Sequence, residues 1–317
     1  MAAKPDLLQI AQVPPFLLER LQKEYTLHDY VNPADPDRLL DEVGPRIRGI
    51  IAGGSKGPNA NLIHRLENLE IIASFSVGFD ATDVVAAQSR GVIVRHTPEV
   101  LTGDVADLAM TFILMVTRRI GESERFLRKG KWLDGRMDLG TTVRGKRLGI
   151  LGLGRIGKAV ARRAEAFGLH IQYHDIKPMG DLTYRSYPTL PDLAKASDIL
   201  LVTCEGGEAN RGVVNAEVLD ALGPEGFLVN TARGPIIDQP AMVKALQEGR
   251  IAGAALDVFD GEPEVPAALM KMENVVLTPH IASSTHETRR AMADLVYDNL
   301  KAHFSGKPVL TPVPPQV

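Results

Sequence analysis

A histidine directly after a short apolar run and a proline is well placed to exchange a proton, and VVLTPH, ending at His280, has that form. Two further segments of the same kind deliver Arg233, in NTARGPIID, and Asp257 with Glu262, in LDVFDGEP. The apolar runs read as strands, so an arginine, two acids and a histidine would stand at the carboxyl ends of three consecutive strands. Open parallel sheets bind their ligands at that edge. Histidine titrates near neutral pH and suits general acid work. A neighbouring carboxylate, the part Glu262 would play, holds the ring and favours its charged form. Arginine stays charged and grips a carboxylate through two parallel hydrogen bonds, polarising the carbonyl beside it. Any one of these residues alone reads as an ordinary loop residue; their joint placement is the signal. His286 lies among polar residues at the start of a helix and reads as ordinary. His28, His64, His96, His170, His174 and His303 show no such partners. No histidine pair has helical metal-ligand spacing beside an acid, so no metal is expected.

A proton delivered to a ketone oxygen needs a hydride delivered to its carbon, and GKRLGILGLGRIGKAVARRAEAFGLHIQYHD has the parts to hold a hydride carrier. Gly152, Gly154 and Gly157 follow the apolar residues Leu148, Ile150 and Leu151 in the spacing G-x-G-x-x-G. A helix should follow, with Ile156, Val160, Ala164 and Phe167 on one face and Gly168 ending it. Gly152 permits the tight turn, Gly154 the approach of a pyrophosphate, and Gly157 close packing of helix on strand. The helix N-terminus offers unpaired N–H groups and partial positive charge to phosphates. The next strand ends at Asp175, whose carboxylate suits two ribose hydroxyls and repels a 2′-phosphate. Ile176 is no arginine to receive that phosphate, so NAD(H) is preferred, while Lys177 leaves NADP(H) as the second option. Asp257 is expected to take the amide of the nicotinamide ring.

These residues need a scaffold of alternating strands and helices. Before residue 100, LLQIAQV, YTLHDYV, IRGIIAGG, LEIIASFSV and GVIVRH read as strands separated by helical spacers. After residue 145, six more runs follow: KRLGILG, LHIQYHD, DILLVTC, GFLVNTA, AGAALDVF and NVVLTPH. The pattern predicts α/β architecture with parallel sheets. Between the halves, Thr102 to Lys131 reads as one long helix without a partner strand. A final helix carries the stripe Met292, Leu295, Val296, Leu300 and Phe304 and stops near Gly306 and Pro308.

The 317 residues predict about two domains at roughly 150 residues each. A hydrophobic content of 44%, a charged content of 24% and a net charge of −3 without a basic block give no support for nucleic-acid or anionic-membrane partners. The longest mostly apolar run, LAMTFILMV (108–116), is too short to span a bilayer. The first residues lack a signal-peptide pattern and there is one cysteine, so a cytoplasmic location is the expectation.

LGLGRIGKAVA, NTARGPIID, LDVFDGEPEVP and LTPHIASST together resemble the D-isomer-specific 2-hydroxyacid dehydrogenases, over nearly the whole chain. SFSVGFD, VLTGDVADLA and HFSGKPVLTPV are most similar to the glyoxylate/hydroxypyruvate reductases and plant hydroxyphenylpyruvate reductases. The resemblance implies a doubly wound Rossmann domain, 99–286, inserted into a flavodoxin-like substrate domain made of 1–98 and 287–317. It implies a homodimer built through the segment 102–131 and the residues after it. It implies Arg233, Glu262 and His280 as the catalytic trio, and Val77 and Gly78 as backbone donors to a substrate carboxylate. Thr102, Arg155, Ile156, Thr231, Arg233 and Asp257 would line the cofactor. The activity implied is reduction of glyoxylate or hydroxypyruvate to the D-2-hydroxy acid. An aromatic keto acid is the alternative substrate, and an NAD-sensing protein like the C-terminal-binding corepressors the alternative class. Two departures stand out. The plant hydroxyphenylpyruvate reductases carry Ser-Arg at Asp175-Ile176, so their NADPH preference does not transfer, and VTCEGGEAN (202–210) lacks the Pro-Leu-Thr of relatives.

Overall fold

The computed structural model describes residues 4–176 and 183–313, so Lys177 lies outside the described residues. The chain packs into two units, Met1–Leu101 with Ser284–Val317, and Thr102–Ser283. The expected boundaries at 98/99 and 286/287 therefore move to 101/102 and 283/284. The second crossing moves because the last helix, His286–Phe304, is tied to the first unit from its start. Thr285 caps it by accepting from Thr288 N, and Thr288 Oγ1 donates to the Val100 carbonyl at 3.4 Å.

The first unit contains β1 (Asp6–Gln9), β2 (Thr26–Asp29), β3 (Ile47–Gly53), β4 (Ile71–Phe75) and β5 (Ile93–Arg95). All pairings are parallel and the order is β2-β1-β3-β4-β5, the flavodoxin-like arrangement. The five apolar runs of the sequence become these five strands. β4, all five residues buried, shows why its run lacks polar alternation: a parallel sheet is covered on both faces. Ile50, Ile63, Ile72 and Val94 pack on one face. The last helix covers β4 and buries Met292, Val296 and Leu300, with Leu295 and Phe304 at the margin.

The second unit contains β6 (Arg147–Leu151), β7 (His170–His174), β8 (Arg185–Ser186), β9 (Ile199–Val202), β10 (Phe227–Asn230), β11 (Gly253–Leu256) and β12 (Val275–Leu277). The order β12-β11-β10-β9-β6-β7-β8 is the doubly wound Rossmann arrangement with one further strand at its edge. Side chains alternate between two cores. Leu200, Val202 and Leu228 face one, and Ile199, Leu201 and Val229 the other. β8 is a strand that the apolar runs do not announce, because both of its residues are exposed.

The expected single helix 102–131 is two helices. Thr102–Thr117 buries Val105, Ala109, Phe112 and Ile113 against the sheet. Arg119 then adopts φ +55°, left-handed backbone that ends an α-helix, and Ile120–Arg128 runs separately with no buried residue. The Arg119 guanidinium pairs with Glu122 at 2.7 Å, fixing the break. In the helix Arg155–Ala166 the buried residues are Gly157, Ala159, Val160, Ala161 and Ala164. Phe167 is half exposed rather than part of that face, because the helix ends at it and Gly168 turns away at φ +77°.

Candidate active site

Gly152 sits at φ +89°, and a Cβ there would lie 2.5 Å from Cys204 Cα. Its N–H donates to the His174 carbonyl at the end of β7, and its carbonyl accepts from Thr203 Oγ1 at 2.7 Å. Gly157 is as constrained, since a Cβ would meet the Gly152 carbonyl oxygen at 2.5 Å. Around Gly154, by contrast, a Cβ would meet nothing within 4 Å, so the backbone there faces open space. The helix beginning at Arg155 has no side-chain cap and no acid in its first turn. Its N–H groups and the positive end of its dipole thus suit an anion. Asp175, just past β7, accepts from Leu153 N at 2.8 Å, which fixes the carboxylate beside the turn. Ile176 is 81% exposed and adds no cation. Cys204 lies under Gly152, and burial pushes its thiol up to about 12, so it stays protonated and unreactive.

The three later strands deliver their polar residues from tightly held loops. After β10, the fully buried Asn230 turns its side chain back on the loop. Its Nδ2 donates to the Arg233 carbonyl at 2.9 Å and its Oδ1 accepts from Ala232 N at 2.9 Å. A Cβ on Gly234 would lie 1.9 Å from the Phe259 carbonyl carbon, so the loops after β10 and β11 touch backbone to backbone. Sequence reasoning missed both residues, although an asparagine before a turn is an Asx-turn signal. Thr231 Oγ1 is buried and has no hydrogen-bond partner among the described residues. An orphaned hydroxyl at this strand end, an open glycine, a bare helix N-terminus and a fixed aspartate form a set that fits a dinucleotide.

Asp257, just past β11, is fully buried. Its Oδ1 accepts from Ile281 N at 2.8 Å and from Thr278 Oγ1, and its Oδ2 accepts from Ala282 N at 2.8 Å. The His280 N–H donates to the Asp257 carbonyl at 2.9 Å. Asp257 therefore clamps the loop that carries His280. His280 itself has φ +53°, left-handed backbone that costs a non-glycine residue energy and that the clamp maintains.

His280 Nδ1 lies 2.8 Å from Glu262 Oε2, and Glu262 Oε1 accepts from Phe259 N at 3.0 Å. Burial alone pushes the Glu262 carboxyl up. The His280 hydrogen bond and charge, the Phe259 N–H and the charge of Arg233 together outweigh it and hold the group below its ordinary 4.5. The arginine, acid and histidine chosen from the sequence thus act on one another. His286 is exposed at the start of the last helix. Two histidines expected to lack acid partners have them: His28 Nε2 is 2.6 Å from Asp6 Oδ1, and His303 Nε2 is 2.9 Å from Glu70 Oε2. Residues far apart in sequence make these pairs, which spacing cannot reveal. Val77 and Gly78 belong to the loop after β4 in the first unit, where the Val77 carbonyl lies 2.8 Å from His96 Nδ1. Thr102 begins the first helix of the second unit, and Arg155 and Ile156 the helix after the glycine turn.

Known proteins carry the same organisation. The NAD-binding domain of the D-isomer-specific 2-hydroxyacid dehydrogenases matches residues 110–282. Glyoxylate/hydroxypyruvate reductase A of Arabidopsis thaliana is 49% identical over 308 residues, 96% of this chain and 98% of that protein. Hydroxyphenylpyruvate reductase of Plectranthus scutellarioides is 48% identical over 307 residues, with the same two shares covered. The solved NADPH-dependent glyoxylate/hydroxypyruvate reductase of Sinorhizobium meliloti, in complex with NADP and malonate, superposes with a TM-score of 0.92 at 43% identity. That alignment covers 98% of this chain and 97% of that one. With the glycine turn on a Rossmann sheet and the paired histidine at its strand ends, the chain belongs to the D-isomer-specific 2-hydroxyacid dehydrogenases.

Proposed function

We propose that this protein is an NAD(H)-dependent reductase of small 2-keto acids, with glyoxylate and hydroxypyruvate as substrates and D-2-hydroxy acids as products. The observation that carries the reading is the 2.8 Å contact of His280 with Glu262, under the charge of Arg233, at the strand ends of a dinucleotide-type sheet. Reduced nicotinamide, when bound, supplies the hydride for the keto carbon. Glu262 engages Nδ1 of His280, which leaves Nε2 as the atom that gives a proton to the keto oxygen. Glu262 stays ionised and compensates the imidazolium before the transfer. Arg233 grips the substrate carboxylate and draws electron density from the adjacent carbonyl. Val77 and Gly78 are, by the family resemblance, backbone donors to a substrate carboxylate.

The preference for NAD(H) rests on Asp175, whose charge opposes a 2′-phosphate, and on the absence of a cation at Ile176. The Sinorhizobium relative is described with NADP, so the preference belongs to this chain's own residues. A homodimer and a cytoplasmic location complete the reading. The dimer is supported by Ile120, Leu127, Trp132, Leu133 and Leu139, large apolar side chains exposed within the second unit.

The test is steady-state oxidation of NADH and NADPH with glyoxylate, hydroxypyruvate and hydroxyphenylpyruvate. Turnover of the first two with NADH is the expected result. Turnover of hydroxyphenylpyruvate alone would make the enzyme an aromatic keto acid reductase. Silence with all three would favour the NAD-sensing binding protein.

A further inference from the structure

Arg289 is a cation in an unfavourable place. It is half-buried near the start of the helix His286–Phe304, where the helix dipole opposes positive charge. Burial lowers the basicity of its guanidinium, with no acidic group acting against that effect. Its contacts are one hydrogen bond from Nη2 to Ser284 Oγ at 2.9 Å and a position 5.5 Å from the centre of the Phe75 ring. Among the described residues no carboxylate pairs with it, and Glu287 of the same turn is exposed and does not reach it. Arg289 thus loses part of its hydration without a counter-charge, which carries a cost.

The surroundings add to the imbalance. Phe75 is the last residue of β4, and the chain runs directly from it into Ser76, Val77 and Gly78, the loop given to the substrate carboxylate. Arg95, at the end of β5, pairs in register with Ala73 of β4. Ala73 and Phe75 stand two apart on one strand, so the side chains of Arg95 and Phe75 share a face of the sheet. Arg95 also has a buried Nε with no hydrogen-bond partner among the described residues. This face therefore carries two guanidinium groups, neither paired with a carboxylate among the described residues, near the end of the strand that leads to the substrate loop.

We propose that Arg289 is a specificity-determining residue that binds the oxygen-rich tail of the 2-keto acid, beyond the carboxylate and the reacting carbonyl. Hydroxyl oxygens on the third and later carbons are the acceptors it fits. Glyoxylate has no such tail, hydroxypyruvate has one hydroxyl, and a six-carbon polyhydroxylated 2-keto acid has several. The inference rests on the 2-keto acid reductase reading and adds which tail the enzyme selects.

The experiment compares the wild type with Arg289→Met, which keeps the length of the stem and removes the charge. Both are assayed with glyoxylate, hydroxypyruvate and a six-carbon polyhydroxylated 2-keto acid. The expected result is kcat/KM for glyoxylate within about threefold of wild type. For the two hydroxylated substrates it falls roughly tenfold or more through KM, the loss of a charge-assisted hydrogen bond. Retained glyoxylate turnover shows that the variant is folded, and Arg289→Lys should restore part of the hydroxylated turnover. An equal loss on all three substrates, or no loss on any, would overturn the proposal while leaving the reductase reading intact. A wild type inactive on every 2-keto acid would overturn both.

Discussion

Glu262 is the residue whose chemistry can be read most directly. Its folded carboxyl is held below the ordinary 4.5, so it remains a counter-charge for imidazolium at any pH where the enzyme would work. A carboxyl depressed in the folded state adds stability that is complete above the unfolded pKa and lost as pH falls through the folded value. Wild type should therefore lose its thermal advantage over Glu262→Gln as pH drops below about 4.5, which melting curves between pH 3 and 7 would show. An advantage that persists at the acid end would refute the pairing. The same substitution should lower kcat on the order of 100-fold. The histidine and the acid were legible from their strand-end positions. Asn230 and Gly234 were not, because their importance lies in backbone that comes close only after three strands align. Asp257 was legible as a strand-end residue, and the structure adds that it holds the loop carrying His280.

At the level of elements, eleven apolar runs give eleven of the twelve strands among the described residues, and the exception shows how the sequence signal arises. β8 is a two-residue strand at the sheet edge with both side chains in solvent, so no burial selects apolar residues there. The break at Arg119 is equally silent, since neither glycine nor proline marks it. The loops after β10, β11 and β12 are the elements on which the proposed function depends. They are held by a buried carboxylate, a buried amide and a backbone contact that admits no side chain. Gly234→Ala tests that arrangement. A methyl group 1.9 Å from the Phe259 carbonyl carbon must push the loops apart. The expected cost is about 1–3 kcal/mol in urea unfolding, with a fall in kcat/KM because Arg233 is the neighbouring residue. Unchanged stability and activity would mean that the loops do not constrain each other.

Across the whole molecule, two α/β units each bury a core of their own, and the chain crosses between them at 101/102 and 283/284. Among the described residues no helix is long and apolar enough to cross a membrane. Leu133 and Leu139 are 93% and 92% exposed, and Trp132 is 70% exposed, which is costly for a lone chain and ordinary for a subunit. The homodimer reading predicts a sedimentation mass near twice 34.4 kDa for the wild type. Leu133→Glu combined with Leu139→Glu should shift that mass towards the single chain, and an unchanged mass would place the interface elsewhere.

In the proposed mechanism the guanidinium of Arg233 acts chiefly on the keto acid, beside a histidine that carries the proton. Steady-state kinetics and NADH titration of Arg233→Ala test it in one preparation. The expected result is a loss of kcat/KM for glyoxylate on the order of 1000-fold, with the dissociation constant for NADH within about threefold of wild type. Substantial residual turnover, or a matching loss of NADH binding, would contradict it.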